Sequence, residues 1–273
     1  MAIITISREL AALGDETAHE LARTLNYRFI DKHILEERMK SYGVAGRKLE
    51  KYDERKPSFW ASLSQDRDDY LHYLKTAVLT EAEKGACVLI GRGAGMILKS
   101  LSGVLSIFLV APYDIRAERV KSYFHCDDKR ARQIIEQSDH DREGFHRYFF
   151  DMQWQDPGNY HLTLNTGHLH PLLCAEIIKQ LRDNIISADA EVQNTVRLKE
   201  LILGQQIKHH ILYEKEIAVY FLEASVCGDA ITLYGVANSQ SLVEAAVTAA
   251  REVTPAGSLR SEIQIVQEYS VMP

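Results

Sequence analysis

The chain has 273 residues, 46% of them hydrophobic, enough to bury one large core or two smaller ones. Its 32 Lys and Arg against 38 Asp and Glu leave a formal net charge of -6 and a pI near 6.0, which argues against general nucleic-acid binding, because that requires a concentrated basic face. Four separated cysteines, Cys87, Cys126, Cys174 and Cys227, form no C-x-x-C pair, so neither disulfides nor a structural zinc are expected.

The N-terminus runs straight into a core strand with no basic n-region, so no signal peptide is expected, and no apolar run reaches the length of a transmembrane helix. The expectation is a cytoplasmic protein without integral membrane association. Ile3-Ile4-Thr5-Ile6 is a β-branched run. A tight loop from Ser7 to Glu16 follows, and Ala18, Leu21, Ala22 and Leu25 then keep the i, i+3, i+4, i+7 spacing of an amphipathic helix. Strand, loop and helix in that order are the ground plan of a phosphate-binding loop, in which backbone N–H groups and the positive helix end face an anion. The Walker pattern G-x-x-x-x-G-K-[ST] is incomplete here: only Gly14 remains among its glycines and no Lys follows. Tyr27 to Lys32 predicts a short strand ending in the carboxylate Asp31. That residue either lies at the sheet's ligand edge or caps the next helix, which carries Ile34, Leu35 and Met39.

From Met39 to Gly85 the chain reads as helical and polar, interrupted by the acid–base run Asp53 to Trp60 with Pro57 inside it. Cys87 to Ile90 is continuously apolar, as expected of a central parallel strand, and it ends in Gly91-Arg92-Gly93-Ala94-Gly95. Those glycines allow close backbone approach and put a guanidinium at the ligand edge; the plainer reading is a tight turn with an exposed Arg. Leu105 to Val110 predicts another buried strand, closed by Ala111-Pro112. Next comes a helix with Arg116 and Arg119, then a second through Ile134 and Ile135 to Asp139-His140-Asp141-Arg142. Arg116, Arg119, Arg130, Arg132, Arg142 and Arg147 are the always-charged donors that phosphoryl transfer uses to neutralise a migrating phosphate. Otherwise the interleaved acids satisfy them as surface pairs worth ~0–1 kcal/mol each. His125, Cys126, Asp127 and His140 fit no zinc-ligand spacing, so no metal site is expected. Asn159 to Thr166 reads as a last strand, and Leu173, Ile177, Ile178 and Leu181 as a helix after it. Strands alternating with helices predict an α/β domain over 1–185, a mostly parallel sheet with helices on both faces.

A second unit is expected over 191–273. It has a helix reaching His209-His210, strands at Ile217 to Leu222 and Ile231 to Val236, an Ala-rich helix from Leu242 to Val253, and a strand at Ile263 to Val266. The order α-β-β-α-β predicts a small α+β module with a three-stranded sheet. No catalytic constellation is visible in it, and adjacent His209 and His210 read as a solvated helix end.

Ile4 to Glu9, Tyr27 to Lys32, Asp53-Glu54-Arg55-Lys56-Pro57, Gly91-Arg92-Gly93-Ala94, Asp141-Arg142 and Leu164-Asn165-Thr166 occur in one characteristic order. On these residues the stretch from about Ala2 to Leu181 resembles the cytidylate kinase-like family, a P-loop kinase-type branch of the nucleoside-monophosphate kinases. The tail resembles the BON module more loosely, on its element order and the Gly228…Leu233-Tyr234-Gly235-Val236 pattern. The kinase resemblance implies ATP as donor, Mg²⁺ bridging its phosphates, and a cytidylate-type acceptor. It places Ser7, Arg8, Gly14 and Glu16 in the nucleotide-binding loop, Asp31 and Arg92 at the acceptor, and Arg132 and Arg142 in a catalytic lid. The BON-like tail would bind a protein partner or lipid surface.

Relatives carry Gly-Ser-Gly-Gly-Arg-Glu where this chain has Ala11-Ala12-Leu13-Gly14-Asp15-Glu16. Ala11 and Leu13 would each cost about 1–2 kcal/mol at positive φ. Asp15 puts an anion where relatives put a cation; two like charges at about 4 Å repel by roughly 1 kcal/mol in water and ~4 at an effective dielectric of about 20. The alternative expectation is therefore a catalytically degenerate kinase fold with a nucleotide-sensing, regulatory or scaffolding role.

Overall fold

The alternation of apolar runs and amphipathic segments is realised as two units, Met1–Thr195 and Val196–Pro273, in a computed structural model describing residues 2–43, 64–255 and 257–266. The acid–base run around Pro57 lies outside the described residues.

In the first unit the β-branched run becomes β1 (Ile3–Arg8), the central strand of a five-stranded sheet. It pairs in parallel with β3 (Cys87–Ile90) on one side and β4 (Val104–Val110) on the other; β2 (Arg28–Ile30) and β5 (Leu162–Asn165) complete the parallel order β2-β3-β1-β4-β5. Helices cover the sheet because both faces are apolar. Ile4, Ile6, Val88, Ile90, Leu105, Ile107 and Leu109 form one core with Ala18 and Leu21 of α1 (Gly14–Leu25) and Cys174 and Ile178 of a helix over Pro171–Ile185. Each fully buried aliphatic side chain there contributes about 1.5–3 kcal/mol. The period-2 alternation turns Phe108 to the opposite face, where its ring stacks on Tyr160 at 4.8 Å and meets Trp154 edge-on at 5.5 Å.

Parallel pairing brings the carboxyl ends of the strands to one edge, and the loops that leave it carry the candidate residues. After β2 come α2 (Lys32–Ser41) and α3 (Ser64–Glu83); after β3 a single turn, α4 (Ala94–Ile97); after β4, α5 (Tyr113–Phe124) and α6 (Asp128–Phe150). Sequence pattern predicts that last helix only as far as Asp139–Arg142. It continues to Phe150 because Asp141, Phe145 and Phe149 keep an i, i+4 buried row, and it stops at Asp151 in the left-handed region. The strand read from Asn159 begins only at Leu162, since Asp156 caps a 3₁₀ turn over Pro157–Asn159. The helix after β5 is α7 (Pro171–Ile185).

The second unit has the expected element order. Part of α8 (Ala188–His209) is followed by the antiparallel pair β6 (Tyr220–Cys227) and β7 (Ala230–Ala237), then α9 (Gln240–Val253) and β8 (Ser258–Ile265), which lies parallel to β7. Ile207, Ile211, Leu222, Val226, Ile231, Leu233, Ala246 and Ala250 form its core. Among the described residues, no helix is long and apolar enough to cross a membrane.

Candidate functional site

The loop from Glu9 to Leu13 joins β1 to α1, and two of its residues lie in the left-handed region: Ala11 at φ 60° and Leu13 at φ 52°. Neither is glycine, so the side-chain strain anticipated from the sequence is present in the backbone. Specific bonds hold it. The Arg119 guanidinium of α5 donates to the Ala11 carbonyl at 2.9 Å and to the Thr166 carbonyl at 2.7 Å. The Thr166 hydroxyl, just beyond β5, donates to the Ala12 carbonyl at 3.0 Å. Thr17 closes the turn by donating its hydroxyl to the Leu13 carbonyl at 2.7 Å. With its carbonyls tied back, the loop delivers the chain into α1, whose first-turn N–H groups at Gly14, Asp15 and Glu16 have no intrahelical acceptor. Gly14 is required sterically: a Cβ there would lie 2.4 Å from Cγ of Arg8, whose stem crosses the start of α1.

Arg8 also answers the charge problem posed by Asp15. Its guanidinium lies 4.0 Å from the Asp15 carboxylate, which is 66% exposed, so the acid turns toward solvent and is partly neutralised. Glu16 is exposed on the same turn and raises the affinity of Arg119 for its proton, although burial, the larger effect, holds that guanidinium below its ordinary value.

Beside the loop, four charged groups meet. Arg116 of α5, 5% exposed, donates to Oδ2 of Asp139 at 2.6 Å and lies 3.5 Å from Oε2 of Glu9. The other Asp139 oxygen accepts from the Leu10 backbone N–H at 3.3 Å and sits 3.9 Å from Arg142. Glu9 accepts from the Ala111 backbone N–H at 3.1 Å. Burial pushes its carboxyl above the usual range, and the Arg116 charge offsets part of that rise.

A second turn leaves β3. Gly91, Arg92 and Gly93 have φ of 75°, 52° and 64°. A Cβ at Gly93 would lie 2.2 Å from Cε2 of Phe150. Arg92 is not the exposed turn residue of the plainer reading. It is 3% exposed, donates to Oε1 of Glu36 in α2 at 2.7 Å, and reaches the Tyr70 hydroxyl at 3.4 Å. Asp31 is the N-cap of α2, accepting from the Ile34 N–H at 3.0 Å. Asp31 and Arg92 thus sit at the ends of neighbouring strands, linked through the helix that carries Glu36. Between β1 and this turn lies a shallow cleft whose walls include Ser7, Gly91, Gly93, His146, Asn159 and Tyr160. Within it the Ser7 hydroxyl accepts from the Trp154 indole at 2.8 Å, and burial pushes the Tyr160 phenol up to about 12.

The two expected lid arginines part company. Arg142 lies beside Asp139 and Ser138, next to the loop. Arg132, ten residues and about 15 Å earlier along α6, pairs with Asp114 at 3.0 Å and Asp128 at 2.8 Å over the Tyr113 ring. Arg119, Thr166 and Asp139 were missed as loop partners. Arg119 stood out only as one of many arginines, and nothing in one dimension pairs it with Ala11.

The profile of the Cytidylate kinase-like family matches residues 3–168. A cytidylate kinase from Sulfolobus acidocaldarius is 38% identical over 97 residues, 34% of this chain and 52% of the relative, so the chain spans about half the length of that curated protein. A crystal structure of an uncharacterized protein from Eubacterium ventriosum superposes with a TM-score of 0.55 at 22% identity, covering 67% of this chain and 99% of that one; it establishes the likeness of fold. A shikimate kinase from Bacteroides thetaiotaomicron covers 67% of this chain and 98% of its own at 16% identity, with a TM-score of 0.42. The family match ends before the second unit begins.

Proposed function

The chain belongs to the cytidylate kinase-like family, and from that premise we propose that its first unit transfers a phosphoryl group from ATP, with Mg²⁺, to a cytidylate-type nucleoside monophosphate. The observation that carries this reading is the loop: Ala11 and Leu13 hold left-handed backbone without glycine. A strained turn retained between a strand and a helix N-terminus, and fastened from outside, favours a working anion cradle over a relic.

In this reading the first-turn N–H groups of α1 and the Arg8 guanidinium hold the donor phosphates, and Gly14 lets the chain come close. Ser7 shapes the sheet side of the cleft. Mg²⁺ is typically held by phosphate oxygens, water and one or two carboxylates, and the exposed first-turn acids Asp15 and Glu16 are the carboxylates on hand. ATP bound there supplies the phosphoryl group. Asp31 and Arg92 form the acceptor end; Glu36 pre-orients the Arg92 guanidinium so that little side-chain freedom is lost on binding. Arg142 on α6 lies near enough to the loop to neutralise charge on the transferring group, and the helix would also exclude water. Arg132 would join only by leaving Asp114 and Asp128.

Calorimetric titration with ATP–Mg²⁺ and with CMP, followed by an assay for CDP, tests the proposal. Both ligands bind and CDP forms if it is right. Nucleotide binding without turnover would reduce the unit to a sensing or scaffolding role. Asp15→Arg with Leu13→Gly is expected to tighten ATP binding; an unchanged affinity would mean the loop does not face the nucleotide.

A further inference from the structure

The Asp139 carboxylate has the partners a phosphate oxygen would take at such a loop: a backbone N–H of the loop itself, at Leu10, and the guanidinium groups of Arg116 and Arg142. Two acids, Glu9 and Asp139, face two arginines, Arg116 and Arg142, so the cluster is formally neutral and offers an arriving polyphosphate no net attraction. Arg116 is almost wholly buried and also touches the Leu10 carbonyl at 3.5 Å, which fixes the cluster to the loop. Asp139 and Arg142 lie three residues apart on one face of α6. A movement of that helix that withdraws the carboxylate therefore also repositions the guanidinium.

Resting on the reading of the loop as a donor-phosphate site, we propose that Asp139 is a built-in competitor beside that site: its carboxylate occupies the Leu10 N–H and the Arg116 and Arg142 guanidinium groups, further anion donors next to the first-turn N–H groups of α1, and must be displaced when the donor polyphosphate binds. The plain alternative is a structural carboxylate that merely neutralises buried Arg116. The two differ in sign. A competitor lowers donor affinity by the fraction of molecules in which it is engaged, whereas a structural partner supports the loop and with it donor binding.

The test is calorimetric titration of the full chain and of Asp139→Asn with ATP–Mg²⁺, tripolyphosphate–Mg²⁺ and CMP. Asparagine keeps the shape and removes the charge; its single oxygen can serve Arg116 or the Leu10 N–H but not both, since those two bond different Asp139 oxygens. Competition predicts that ATP and tripolyphosphate bind the variant about 5–10-fold more tightly, with CMP affinity unchanged, as expected when the engaged form no longer reduces the competent population. Donor affinity equal to or weaker than that of the natural chain overturns the competitor while leaving the loop a phosphate site. If neither protein binds ATP or tripolyphosphate, the phosphate-site reading falls and the competitor with it. A measurement on the natural chain does not depend on the variant's folding. Saturating ATP should shift the Leu10 amide nitrogen–proton resonance as its carboxylate partner leaves; an unmoved resonance at saturation overturns the proposal.

Discussion

Two turns leave adjacent parallel strands at the same edge of the sheet, and they solve one problem in opposite ways. Both need left-handed backbone. The turn after β3 uses Gly91 and Gly93, with Arg92 left-handed between them, while the loop after β1 uses Ala11 and Leu13. The difference is space. The Phe150 ring lies where a Gly93 Cβ would be, so no side chain fits there and backbone permissiveness comes with the small residue. The β1 loop has room for side chains, and its conformation is imposed by donors from distant elements, Arg119 and Thr166, gripping its carbonyls. Loss of loop glycines is therefore weak grounds for loss of the loop. A left-handed turn is indispensable as glycine where packing forbids a Cβ, and negotiable where hydrogen bonds can supply the 1–2 kcal/mol or so of conformational strain.

This contrast can be broken from either side. The largest effect is expected at Gly93→Ala, which combines left-handed strain with intrusion on Phe150 and should cost about 3 kcal/mol in urea unfolding; adding Phe150→Leu should recover part of that loss. If Gly93→Ala is neutral, the steric half of the comparison fails. Next comes Arg119→Met, which removes the grip on the Ala11 and Thr166 carbonyls. A loss of about 2 kcal/mol is expected, together with weaker ATP binding in titration, whereas Thr166→Val should lose about 1 kcal/mol. Leu13→Gly should run the other way, raising stability by about 0.5–1 kcal/mol as left-handed strain is relieved against the greater freedom of glycine in the unfolded chain. A destabilised Leu13→Gly would show that the half-buried side chain, and not the backbone, dominates that position.

The smallest effect is a pH slope at the loop's base. Burial raises the Glu9 carboxyl when the chain folds, so in the window from the ordinary carboxylate value up to the raised folded one, the folded state holds a proton that the unfolded state has released. The sign follows: stability falls as pH rises through that window. Glu9→Gln should remove this component, seen as a flatter pH dependence of the denaturant midpoint above the ordinary carboxylate value. An identical slope in both would mean that Arg116 cancels the burial effect.

Much of this architecture is written in local pattern. The continuous apolar runs at Ile3, Cys87 and Leu105 could be satisfied only by strands covered on both faces, and the order of those runs and the helices between them fixes the α/β class. The strand–loop–helix at Ile3 to Leu25 located the candidate loop, and Gly14 marked its one obligatory close approach. Asp31 and Arg92 were placed at strand ends from the sequence. Capping of the next helix was one of the two readings open for Asp31, and it is realised on the Ile34 N–H; the buried pairing of Arg92 with Glu36 was not legible, because nothing local says which way a side chain at a strand end will turn. Arg132 and Arg142 looked equivalent as arginines of one segment. The helix separates them by nearly three turns, and their partners differ: Arg142 lies by Asp139 and Ser138, Arg132 by Asp114 and Asp128.

What the sequence determined by itself, then, is the kind of each element and the edge at which its ends converge, since hydrophobic periodicity and glycine position act over a few residues. What only the tertiary structure decided is how a loop without its glycines keeps a phosphate-cradle shape. Arg119, Asp139 and Thr166 stand 108, 129 and 154 residues from their loop partners. A hydrogen bond is set by distance and direction in space, and neither can be read from the chain until the sheet has brought those residues to one place.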